Sequence, residues 1–80
     1  MDNMEIKIYT TSTCPYCTMA KDFLKDRGIK YTEFNVGADA RARDEMIKKT
    51  GQMGVPVIEI DEEIIIGFDQ RRISEKLGIK

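Results

Sequence analysis

The chain has no histidine and no tryptophan among its 80 residues, and only two cysteines. The missing histidine excludes imidazole general-base catalysis, Ser-His triads and most catalytic zinc sites. Two cysteines cannot by themselves complete a four-ligand Cys or His zinc site, which leaves redox chemistry as the leading use of the pair. Charge of one sign is not in excess either: 13 basic residues stand against 14 acidic ones, for a net charge of −1. Nucleic-acid binding through phosphate neutralisation needs a clear basic excess and is not expected. No run approaches the roughly 18 apolar residues of a membrane span. The opening Met1-Asp2-Asn3-Met4-Glu5 is acidic and lacks the basic and apolar regions of a signal peptide. The expectation is a soluble cytoplasmic protein with no membrane partner. A chain of this length holds one small domain: a single sheet with helices packed on it.

What is present reads as alternating strands and helices. Glu5 to Thr10 alternates polar and apolar residues rich in β-branched and aromatic types, the pattern of a strand. Thr11-Ser12-Thr13 supplies a polar connection, and Pro15 suits the first position of a helix, where its missing N–H costs nothing. Cys17, Ala20 and Phe23/Leu24 recur at helical spacing up to Gly28, a natural C-terminal stop. Ile29 to Val36 reads as a second strand, parallel to the first because a helix connects them. Asp39 begins a second helix with Ala42, Met46 and Ile47 inward, ending at Thr50-Gly51. Val55 to Ile60 reads as a third strand, Asp61-Glu62 as a tight turn, and Glu63 to Ile66 as the antiparallel return. Asp69 caps a last helix with Ile73 and Leu77 inward and Gly78 at its end. The order is βαβ followed by αββα. Basic residues gather at Arg41, Arg43, Lys48 and Lys49 and again at Arg71, Arg72 and Lys76, and read as solvated helix faces.

The two cysteines, Cys14 and Cys17, fall where the first strand meets the first helix. Three positions apart on a helical turn, their Cα atoms lie roughly 5 Å apart, within the range a disulfide tolerates. Cys14 stands just before the helix, where unpaired N–H groups and the positive end of the dipole favour an anion. Cys17 is one turn in, on the apolar face, and should be buried. The asymmetry predicts that Cys14 attacks and that Cys17 resolves the resulting mixed disulfide. A structural staple is the weaker reading, because so small a loop scarcely restricts the unfolded chain.

Cys14-Pro15-Tyr16-Cys17 is identical to the dithiol active-site motif of the glutaredoxins. Gly54-Val55-Pro56 resembles that family's Thr-Val-Pro segment, and Gly67-Phe68-Asp69 its Gly-Gly-x-Asp segment. The three occur in the right order and separation, so the chain resembles a dithiol glutaredoxin from Ile6 to Leu77, with residues 1–80 as one such domain. The resemblance implies an α/β, thioredoxin-like fold with a short four-stranded mixed sheet and three helices. It also implies a cis bond before Pro56, turning the Val55 backbone toward Cys14. Glutathione would lie between Tyr16, Arg43, Val55, Pro56, Phe68 and Asp69. In that arrangement Val55 offers strand-like backbone bonds, and the Phe68 and Asp69 N–H groups hold the γ-glutamyl carboxylate. The Asp69 side chain takes the ammonium, and Arg43 the glycyl carboxylate.

The implied activity is that of a thiol-disulfide oxidoreductase with redox-active Cys14 and Cys17. It would act as a monomer on glutathionylated or disulfide-bonded proteins, with glutathione as cosubstrate and no metal or tightly bound cofactor. Thr11, Gly54, Phe68 and Gln70 depart from the family pattern by removing a local cation and side-chain donors, which should weaken glutathione affinity. Gly67-Phe68 also resembles the glutaredoxin-like electron donors of ribonucleotide reductase, which draw on thioredoxin reductase, whereas Pro15-Tyr16 sides with glutaredoxins proper. A third alternative is a [2Fe–2S] cluster shared by two chains and two glutathiones through Cys14, which the stiff Pro15 disfavours.

Overall fold

A computed structural model describes residues 5–78. The N-terminal stretch Met1-Asp2-Asn3-Met4 read above lies outside the described residues. The elements follow in the order β1 (Ile6–Thr10), α1 (Pro15–Asp26), β2 (Thr32–Asn35), α2 (Ala40–Thr50), β3 (Val57–Ile60), β4 (Glu63–Ile66) and α3 (Gln70–Leu77). The strands form one mixed sheet ordered β2-β1-β3-β4. β1 runs parallel to β2 and antiparallel to β3, and β3 is antiparallel to β4. This is the α/β architecture, four strands and three helices, that the sequence predicts. Among the described residues no helix is long and apolar enough to cross a membrane.

The central position of β1 changes how its residues are buried. Ile6 and Ile8 pack with Ala20, Phe23 and Leu24 of α1, Ile58 and Ile60 of β3, Ile65 of β4 and Ile73 of α3. Tyr9, on the opposite face, packs with Val36, Val57 and the α2 residues Ala42 and Met46. Tyr9 is fully buried because α2 covers the second face of the sheet at the central strand. Its ring stacks on Phe34 at 5.4 Å between centroids, and its hydroxyl accepts from Lys49 Nζ at 3.3 Å. Lys49 is held in turn by Glu59 at 2.7 Å, so this buried hydroxyl is satisfied.

Local signals end the elements, and two strands are shorter than their apolar runs suggest. Gly28 has φ +68, and its N–H donates to Lys25 while that of Ile29 donates to Leu24. These paired bonds close α1 as a Schellman motif, which needs a residue free to adopt left-handed backbone. Ile29 is therefore still part of the helix stop, and β2 begins at Thr32 rather than at Ile29. Val36 continues the approach to β1 by donating to the Thr10 carbonyl at 2.8 Å, just beyond the strand. β3 likewise begins at Val57, after a cis Val55–Pro56 bond, rather than at Val55. Glu5 precedes β1 and clasps the β3–β4 turn: its N–H donates to Asp61 Oδ1 and its carbonyl accepts the Asp61 N–H.

Candidate active site

Cys14 caps α1. It has extended backbone, φ −103 and ψ 108, and its sulfur accepts the Cys17 N–H at 3.1 Å. The first turn of α1 contains no acidic residue that would compete for the helix N-terminus. Pro15 follows at the first helical position, where no N–H is needed. Cys14 is half-buried with a free thiol, and Tyr16 beside it is 62% exposed. Cys17 is free as well but 1% exposed, packed on the inner side of α1. Burial pushes the Cys17 thiol up to about 12, and its hydrogen bond with Cys14 adds to the rise; the Thr11 backbone and the Lys21 ammonium pull the other way. The expected division between an accessible sulfur and a sheltered one is therefore present in the geometry.

The other two motif segments converge on the same end of the sheet. The Cys14 sulfur faces the Val55 carbonyl at 3.9 Å, across 41 residues of sequence. Pro56 is buried, and its carbonyl accepts the Gly67 N–H at 2.8 Å, tying the end of β4 to the loop beside Cys14. Gly67 has φ +86, a backbone conformation that suits glycine and turns the chain into the N-terminus of α3. Asp69 caps that helix by accepting the Arg72 N–H at 3.1 Å. Phe68 meets Phe23 of α1 edge-on at 5.8 Å, and the Arg27 guanidinium lies 3.7 Å from the centre of the Phe23 ring. That packing seats the start of α3 against the helix that Cys14 caps and Cys17 belongs to.

Arg43 is not joined to this group. It sits half-buried on α2, and among the described residues no hydrogen bond or ion pair links its side chain to Cys14, Val55 or Asp69. Gln52 was not indicated by the sequence motifs, yet it braces the loop: its Oε1 accepts the Gly54 N–H at 2.6 Å and its Nε2 donates to the Gly54 carbonyl at 3.3 Å. A Cβ at Gly54 would stand 2.6 Å from that oxygen, so the missing Thr side chain and the Gln52 brace go together. The only early sign of this was a Gln two residues before a Gly in a loop. Among the described residues no group of three or more His, Cys, Asp or Glu is placed to hold a metal ion.

The backbone matches solved structures of the same class. A variant of the thioredoxin-like protein BC3987 superposes with a TM-score of 0.90 at 33% identity, covering 95% of this chain and 97% of that one. A thioredoxin fold with two cysteines at the start of its first helix defines a thiol-disulfide oxidoreductase. The glutaredoxin family model matches residues 6–65. Glutaredoxin 3 of Escherichia coli is 44% identical over 64 residues, 80% of this chain and 77% of that protein. An uncharacterized glutaredoxin-like 8.6 kDa protein in the rubredoxin operon of Clostridium pasteurianum is 46% identical over 70 residues, 88% of this chain and 93% of that one. The chain belongs to the glutaredoxin family.

Proposed function

We propose that this glutaredoxin reduces protein–glutathione mixed disulfides and protein disulfides through Cys14 and Cys17, with glutathione as its reductant. The observation that carries the reading is the Cys14 sulfur, capping α1 while facing the Val55 carbonyl at 3.9 Å. A nucleophile at a helix start, beside main chain left outside the sheet ladder, suits an extended cysteinyl substrate. The N-terminus of α3, tied to Pro56 through Gly67, supplies N–H groups for a carboxylate at one end of such a substrate. Tyr16, Val55, Pro56, Phe68 and Asp69 form the glutathione-binding set, with Arg43 reaching the glycyl carboxylate from α2.

In the monothiol route the Cys14 thiolate attacks the glutathionyl sulfur of a mixed disulfide and expels the protein thiolate. A second glutathione then attacks the Cys14–glutathione bond, leaving glutathione disulfide and reduced Cys14. In the dithiol route Cys14 attacks a protein disulfide, and Cys17 displaces the bound protein thiolate by forming the Cys14–Cys17 bond. Two glutathiones restore the dithiol. Each cycle moves two electrons from glutathione to the substrate, and no resident metal or cofactor takes part. The protein acts as a monomer in the cytoplasm, where thiols are kept reduced.

A coupled NADPH assay tests the reading, run once with glutathione and its reductase and once with thioredoxin reductase. Turnover of a glutathionylated peptide with the first system is expected. Efficient reduction by thioredoxin reductase alone would instead favour a donor of the ribonucleotide-reductase type. Visible absorbance of freshly purified protein would reveal a shared [2Fe–2S] cluster.

A further inference from the structure

Lys21 belongs to none of the motif segments. It follows Cys17 by four residues on α1, the spacing that places two side chains on one helix face. Its ammonium donates to Glu33 Oε2 at 2.9 Å, and the same oxygen accepts the Thr10 hydroxyl at 2.7 Å. Thr10 is 1% exposed, at the end of β1, and immediately precedes Thr11, whose backbone pulls the Cys17 thiol downward. The last residue of β1, the edge strand β2 and the middle of α1 are thus cross-linked one helical turn from Cys17. The Thr10 hydroxyl and then the Lys21 ammonium hold the Glu33 carboxyl below its ordinary value. The same carboxylate holds Lys21 above its own, so Lys21 stays charged and cannot act as a base at neutral pH.

We propose that Lys21, pinned by Glu33 and through it by Thr10, is a positioning residue for the resolving step: its fixed charge favours the Cys17 thiolate as that thiolate attacks the Cys14 mixed disulfide. This extends the dithiol route above and rests on Cys17 being its resolving thiol. In the step, the Cys17 proton leaves to solvent and the Cys17 sulfur forms a bond to the Cys14 sulfur. The bond from Cys14 to the substrate sulfur breaks, and the substrate leaves as a thiolate with the electron pair. The two cysteines are oxidised to a disulfide and the substrate disulfide is reduced. The groups acting on Cys17 are Cys14, the Thr11 backbone and Lys21. Those acting on Lys21 include Glu33 from β2 and Tyr31 just before it, while Lys25 acts on Glu33. Of these, Lys21 is the cation, four residues beyond Cys17 on the same face of α1. Attack by Cys14 on a mixed disulfide does not pass through this network, so the charge serves the dithiol route.

Stopped-flow mixing of the reduced protein with one equivalent of dithiobis-nitrobenzoate, a chromogenic aryl disulfide, separates the two attacks. Cys14 releases the first nitrobenzoate thiolate and Cys17 the second. Lys21→Met is expected to slow the second release roughly two- to fivefold, the effect of one partly exposed charge interaction. It should also displace the pH profile of that release to higher pH, with the first release as in wild type. Lys21→Arg restores both the rate and the profile. An unchanged second release in Lys21→Met, equal slowing of both releases, or no rescue by Lys21→Arg overturns the proposal. Glutathione is absent from this measurement, so a chain indifferent to glutathione would still report on Lys21.

Discussion

The backbone N–H of Cys17 donates to the sulfur of Cys14 at 3.1 Å, so the half-buried thiol is itself the cap of the helix that carries the fully buried one. In the proposed dithiol route, covalent chemistry at Cys14 takes place one helical turn from the Cys17 thiol that resolves it. Folding of α1 alone sets this distance, and the surrounding packing decides which of the two sulfurs meets solvent.

Replacing each cysteine separates its roles. Serine is a good helix cap, so Cys14→Ser should keep α1 and the stability of the fold while abolishing activity in every assay. Cys17→Ser should retain removal of glutathione from mixed disulfides and lose reduction of protein disulfides. Steady-state rates with a glutathionylated peptide and with a disulfide-bonded protein measure the split. Activity in Cys14→Ser would refute the assignment of the attacking sulfur.

Charge at the two ends of glutathione should matter unequally. Asp69→Ala removes the cap of α3 and with it the ordering of the Phe68 and Asp69 N–H groups, a change worth about 1 kcal/mol. Arg43→Glu reverses a partly exposed charge on α2, worth about 0.2–1 kcal/mol. The Michaelis constant for glutathionylated substrate should rise in both variants, more in Asp69→Ala, and the effects should shrink in concentrated salt. Equal constants for both variants and the wild type would remove glutathione as the partner.

Alkaline pH should destabilise the reduced protein through Cys17. Its thiol is held above the ordinary value of 9.0, at about 12, chiefly by burial, so the folded state binds that proton more tightly than the unfolded chain does. Stability is fully present below pH 9 and declines as pH rises from there toward the folded value. Thermal melts of the reduced protein across this range should show a steeper decline than melts of Cys17→Ala. Parallel curves would mean that the buried thiol is not titrating.

The sheet core should dominate stability. Ile8→Ala and Ile58→Ala each empty a fully buried position between α1 and the central strands, and about 2–5 kcal/mol should be lost in urea titrations. Ile66→Ala, at a site 54% exposed on the end of β4, should stay within about 0.5 kcal/mol of wild type. A large loss at Ile66 would point to packing on that face beyond the fold described.

The order of elements, the helix caps at Asp39 and Asp69, the stop at Gly28 and the place of Cys14 at a helix start are readable from the chain alone. Those features depend on periodicity and on backbone groups a few residues apart, so they are written locally. Features that depend on neighbours distant in sequence emerge only on folding. Tyr9 is buried because β1 is central and α2 covers its second face. The apolar run from Ile29 yields its first residues to the α1 stop, because the Ile29 N–H is taken by the Leu24 carbonyl. The Thr10–Glu33–Lys21 network joins three separate segments with no periodic signal of its own. Side-chain bonds of that kind form only after the sheet and helices have brought their partners within hydrogen-bonding reach, which is why the cysteine pair at a helix start was legible in the chain and the Lys21–Glu33–Thr10 network was not.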